Sequence, residues 1–229
     1  MISGGSLLAT RRIFALYFHA SIIFMSSFEF LSVFISVIVG LGMANMLTGA
    51  VQLLHRRHTI RFSVAHMAWT LFVFFMMVVY WWTVVFGWKD WEDWNVLLFL
   101  FLLLYAITLF LLSAILYPAD IPESWDTLQH FVDIRRWFFA VEILWILCEL
   151  IDTHLKDHFD DFALPYFLMM GSWFAAAVWG WVSSNRRTHT FIAVYHLVTV
   201  VSWIAYQFRD LEWTQAARGL ETLTWATTN

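Results

Sequence analysis

The stretch RRWFFAVEILWILCELID, residues 135–152, has the apolar character of a membrane span but holds two carboxylates, Glu142 and Glu149. On an α-helix, positions 135, 138, 142, 145, 149 and 152 share one face, because side chains three and four apart lie above one another. That face reads Arg, Phe, Glu, Trp, Glu, Asp. The acids are therefore aligned. An acidic residue at the centre of a span costs about 2.5–3.5 kcal/mol on insertion scales. Two of them predict that this face turns away from lipid, toward protein or water.

Composition places the stretch in a membrane protein. The chain has 229 residues, of which 61% are hydrophobic and 13% charged; a soluble domain carries about 25% charged residues. Its 15 Trp and 23 Phe suit aromatic belts at two membrane interfaces. The single cysteine, Cys148, excludes an intramolecular disulfide framework and reads as a buried thiol. A net charge of −4 gives no nucleic-acid signal.

A helix needs about 20 apolar residues to cross a bilayer. Six runs qualify, near 28–54, 66–88, 94–117, 131–151, 162–184 and 190–208. They are continuous rather than alternating, so they predict helices, the form that satisfies every backbone group internally. The expected fold is all-α: an integral membrane bundle of six spans over residues 26–208, connected up and down by short loops. Residues 1–25 are less regular. Arg11 and Arg12 precede the run Ile13 to Met25, which extends only about 20 Å as a helix. It reads either as an extra hydrophobic helix or as translation ahead of a start at Met25. Residues 209–229 read as a polar tail, with Trp213, Leu220 and Trp225 suited to a surface helix.

Loop charge predicts orientation. Arg56, Arg57 and Arg61 lie in loop 55–65, Arg135 and Arg136 close loop 118–136, and Arg186 and Arg187 lie in loop 185–190. Loops 89–93 and 152–161 are acidic. The positive-inside rule then puts the first three in the cytoplasm and the other two outside. The run FEFLSVFISVIVGLG, followed by the basic HRR loop, resembles small multi-span inner-membrane proteins of bacteria that have no assigned function. The resemblance implies a bacterial inner-membrane location and supplies no catalytic residues.

Two helix faces predict close packing. Ser172, Ala176 and Gly180 recur every four residues, and Gly42, Asn45, Gly49 and Gln52 share a face of the first span. Small residues there let backbones approach, and polar ones tie helices together. Span six also has a polar face, formed by His196, Thr199, Ser202 and Tyr206.

With the Arg residues as the inner boundary, Glu142 lies about 10 Å deep, Glu149 about 20 Å, His196 about 13 Å and His66 about 7 Å. Asn45 and Gln52 fall in the same inner half. The candidate site is therefore Asn45, Gln52, His66, Glu142 and His196, with Glu149 extending it outward. Three readings compete. The groups satisfy one another and specify helix packing. Alternatively they line a path for a solute or ion, in which a carboxylate–His pair exchanges a proton near neutral pH. Or His66 and His196 ligate a non-covalent haem b between helices; the chain has no C-x-x-C-H motif. The second reading, a proton-linked transporter or channel, is the functional expectation. Glu142 would be the exchangeable carboxylate and His196 its partner, with no cofactor required. A non-catalytic accessory or scaffold subunit is the alternative, haem-based redox the third.

Catalytic signatures are missing. The chain has no phosphate-binding loop, nucleophile elbow or H-E-x-x-H, so enzyme activity is not expected. His154 and His158 could ligate a metal from a helix, but the acidic loop around them reads as solvated. The two lysines, Lys89 and Lys156, fall in predicted loops, which excludes a retinal Schiff base. The expected partners are the lipid bilayer and a homo-oligomer or larger membrane complex.

Overall fold

The computed structural model describes residues 26–118, 124–156 and 164–207. The readings made for residues 1–25, for most of the fourth loop including His158, and for the tail 209–229 lie outside them. Among these residues six helices form: α1 (Ser27–His55), α2 (Val64–Gly87), α3 (Val96–Leu116), α4 (Thr127–Leu155), α5 (Leu164–Val182) and α6 (Arg186–Gln207). Two short strands, β1 (Ile60–Arg61) and β2 (Trp125–Asp126), pair in parallel. The all-helical expectation holds. Among the described residues four helices, α1, α2, α3 and α6, are long and apolar enough to cross a membrane. The other two depart from that pattern: α4 carries Asp133, Arg135, Arg136, Glu142, Glu149 and Asp152, and α5 has 19 residues rich in Trp and Gly.

Polar residues at the loop ends set the helix starts. Ser26 and Glu29 form a reciprocal capping box, with the Glu29 amide donating to Ser26 Oγ at 3.1 Å and the Ser26 amide donating to Glu29 Oε2 at 2.8 Å. Ser63 accepts the His66 amide, and Asn95 accepts that of Leu98. Asp126 accepts the amides of Leu128 and Gln129. This last cap starts α4 at Thr127, a turn before the apolar run that predicts it at 131.

Helix contacts arrange the bundle as two rows, α1–α2–α6 over α3–α4–α5. Helices α2 and α4 run side by side in the same direction. At one end the Ser63 amide donates to Thr127 Oγ1 at 3.0 Å. At the other, Trp88 Nε1 donates to Asp152 Oδ1 at 2.9 Å, and Lys156 Nζ donates to the Thr83 carbonyl. The first, third and fifth loops therefore gather at one end. There β1 pairs with β2, Arg186 holds Asp126 at 3.0 Å, and Arg135 donates to Ser184 Oγ at 2.8 Å. Lys156 is not a free loop residue: it closes α4, is 7% exposed, and sits 2.6 Å from Asp152.

Around the bundle the outer faces are apolar as well as the core. On α4, Phe138, Glu142, Trp145 and Asp152 are buried, while Trp137, Leu144, Leu147 and Ile151 are exposed. Apolar residues also cover the outer faces of α1 and α6, for example Val33, Leu41, Val51, Phe191 and Val198. That is the distribution expected where the surroundings are hydrocarbon.

The first-span face packs as predicted. A Cβ on Gly42 would collide with Met77, and one on Gly49 with the Tyr117 ring. Asn45 Nδ2 donates to the Ser113 carbonyl at 3.0 Å. The α5 stripe divides instead. Gly180 receives the ring of Phe139 from α4, whereas Ser172 hydrogen-bonds Tyr195 of α6 at 2.6 Å and lines an open groove.

Candidate functional site

Glu142 and His196 meet at the centre of the bundle. His196 Nε2 lies 3.2 Å from Glu142 Oε1, and both side chains are essentially inaccessible. His196 Nδ1 lies 2.8 Å from the Ile192 carbonyl. A carbonyl oxygen can only accept, so Nδ1 carries a hydrogen. Nε2 then faces the carboxyl either through its lone pair or, in an imidazolium, through a second N–H. A close contact between the two groups therefore requires one shared proton, on oxygen or on nitrogen.

The pair sits in an aromatic box. The His196 ring stacks on Trp173 at 5.4 Å and contacts Trp69 at 5.0 Å and Phe72 at 5.3 Å. The 3.2 Å approach is off-line for a hydrogen bond, and both Glu142 oxygens and His196 Nε2 lack an aligned partner among the described residues. The indole N–H groups of Trp69 and Trp145 are likewise buried and unmatched. Unpaired donors and acceptors are costly in an apolar interior. Here two indole donors and three atoms of one proton-bearing pair remain without aligned bonds among the described residues.

Two turns along α4, Glu149 forms a second cluster. The hydroxyls of Tyr105 and Tyr166 both donate to its carboxylate, the latter at 3.2 Å, and Tyr166 also bonds Thr153 at 2.9 Å. A cavity of about 20 Å³ adjoins Glu149, enough for about one water molecule. Beyond it, Asp152 is held by Lys156 and Trp88.

The predicted constellation thus divides. Glu142 and His196 meet as expected, and Glu149 continues the same face toward the acidic-loop end. His66 is buried elsewhere: its Nε2 donates to the Leu116 carbonyl at 3.2 Å, between the rings of Tyr117 and Trp125. Asn45 ties α1 to α3, and Gln52 lies on the same face of α1. Similar depth had grouped these residues with the pair, but depth does not fix which helices are neighbours. The residues missed from sequence are aromatic: Trp69, Trp173, Tyr105 and Tyr166. Tyr105 offered a signal, since it is the lone phenol in the leucine-rich run of α3.

At the end where the odd loops meet, Asp126 is slightly buried, which raises its carboxyl. The Gln129 amide, the Arg186 guanidinium and the Leu128 amide outweigh this and hold it below the usual carboxylate range. Comparison of the chain with protein-family models, curated proteins and solved structures gave no match.

Proposed function

We propose that this chain is a six-span protein of a bacterial inner membrane that moves a small solute or ion with the help of a proton held by Glu142 and His196. The observation that carries the reading is the fully buried pair 3.2 Å apart, between spans and inside an aromatic box. Ionisable residues at membrane depth are functional candidates, and a carboxyl–imidazole contact is a natural site of proton exchange. Glu149 and the adjoining water-sized cavity extend the route toward the acidic-loop end.

The six-span reading has independent support. Helix α4 is tied to α2 at both ends, so it covers the same distance as a helix long enough to cross. Helix α5 returns the chain from that far end to the basic end, where α6 begins. Gathering the basic loops at one end matches a cytoplasmic side there.

Reconstitution of the full chain into proteoliposomes containing a pH-sensitive dye tests the reading. Glu142→Gln retains size and removes the exchangeable carboxyl, so proton flux should fall to the level of empty vesicles. Flux equal to wild type would remove Glu142 from the mechanism.

A further inference from the structure

Glu149, half-buried on the same face of α4, differs from the two buried acids Glu142 and Asp152. Asp152 has Lys156 at 2.6 Å, and Glu142 has an imidazole at 3.2 Å. Among the described residues, the hydrogen-bond partners of Glu149 are two neutral phenols. The nearest cation, Lys156, is bonded to Asp152, and a carboxylate with no cation in direct contact in an apolar bundle favours a proton or an incoming cation.

Its surroundings are aromatic. Tyr80 and Tyr105 lie 4.5 Å apart, Tyr105 and Trp145 6.4 Å, and Trp145 and Trp173 6.1 Å, so their rings form a continuous wall. Tyr166 and Trp203, 5.6 Å apart, supply another side. All of these line the cavity beside Glu149. Electron-rich ring faces attract cations, most strongly where water is excluded.

The cavity also has a neighbour. A groove of about 590 Å³ opens between α5 and α6 on the outside of the bundle, within the range that accepts an organic molecule. Met169 and Trp203 line both the groove and the cavity. These two side chains stand between the two spaces. The groove is mainly apolar, with Ser172, Thr199 and Ser202 among its lining residues.

We infer that displacement of Met169 and Trp203 opens the water-sized Glu149 cavity into the groove, and that the joined space binds a lipophilic organic cation entering sideways from the membrane. Its charged centre lies among the rings beside Glu149, and its apolar groups fill the groove. This names a substrate class for the transport reading and rests on that reading for its purpose, but binding itself needs neither a gradient nor turnover.

The test is equilibrium dialysis of radiolabelled tetraphenylphosphonium against the full-length chain in detergent, with triphenylphosphine oxide as the neutral comparison. Wild type should bind the cation saturably and the neutral compound far more weakly. Glu149→Gln should weaken cation binding by about tenfold or more, a difference of about 1.4 kcal/mol, while Glu149→Asp should retain most of it. Should Glu149→Gln fail to fold, Ser202→Trp tests the groove alone: it fills the exposed rim and should also weaken binding. Val201→Trp, on an exposed position outside the groove, should not. No saturable binding by wild type, equal binding by Glu149→Gln, or equal binding of the neutral compound would overturn the inference. A protein that binds the cation but gives no Glu142-dependent proton flux would refute the transport reading and leave the site in place.

Discussion

Replacing both members of the central pair should harm the protein less than replacing either one. The perturbations are His196→Phe, Glu142→Leu and their combination. Phenylalanine keeps a ring against Trp173, which lies 5.4 Å from the imidazole, so the first change removes mainly the nitrogen facing Glu142. A buried polar group stripped of its partner costs about 1–3 kcal/mol, and one left from an ion pair costs about 3–5 kcal/mol. His196→Phe should therefore destabilise by at least about 1 kcal/mol, and Glu142→Leu by a similar amount through the orphaned imidazole. With both polar groups gone the site becomes apolar, a replacement that is often close to neutral. The double variant should then be more stable than either single one, with a coupling energy of about 2 kcal/mol or more. Equilibrium unfolding of the full chain in mixed micelles measures all four corners of the cycle. Additive losses would show that the 3.2 Å contact is not an energetic unit, and the proton-sharing argument would fall with it.

Further expectations concern packing, pH and topology. In Gly180→Ala the new methyl would collide with the Phe139 ring, whose Cε1 alone would lie 2.8 Å away. That ring is fully buried against Trp69 and His189, so a loss of about 1–3 kcal/mol is expected. Gly171→Ala meets nothing within 4 Å and should be neutral or stabilising by about 0.5–1 kcal/mol; the same unfolding assay compares them. Asp126 lies below the usual carboxylate range when folded, so its contribution is full above the unfolded value and lost as pH falls through the lowered one. The unfolding midpoint should therefore drop below about pH 4, and Arg186→Ala should move that drop to higher pH. On a Cys148→Ser background, cysteines at Arg57 and Arg187 should react with an impermeant maleimide from one side of the vesicle and a cysteine at Lys89 from the other. Labelling of all three from one side would refute the topology.

Much of the architecture was legible because hydrocarbon imposes simple demands. Continuous apolar runs mark all six helices of the described residues, and the three- and four-residue spacing of Glu142, Trp145 and Glu149 marks the inward face of α4. Loop arginines correctly grouped the first, third and fifth loops at one end. The site was legible only in part. His196 and Glu142 share a depth and adjoining helices, whereas His66 and Asn45 share the depth but lie beside α3 instead. Lateral neighbours are fixed by side-chain shape, such as Tyr117 against Gly49 or Phe139 against Gly180, and a single chain shows no such pairing. The aromatic surroundings were hidden for a related reason: in a chain with 15 Trp and 23 Phe, composition cannot separate the rings that box in a histidine from those that face lipid.

The small parallel pairing of β1 with β2 has a mechanical consequence. Together with Thr127, which donates to the Arg61 carbonyl and accepts the Ser63 amide, it fastens the starts of α2 and α4 to each other, and Arg186 adds the start of α6 through Asp126. Helices α2 and α4 are also joined at the opposite rim by Trp88 and Lys156, so the freedom to splay falls to α6, which pivots like one arm of tweezers about its fastened start. The widest excursions should thus fall near Trp203 and Tyr206, far from the fulcrum.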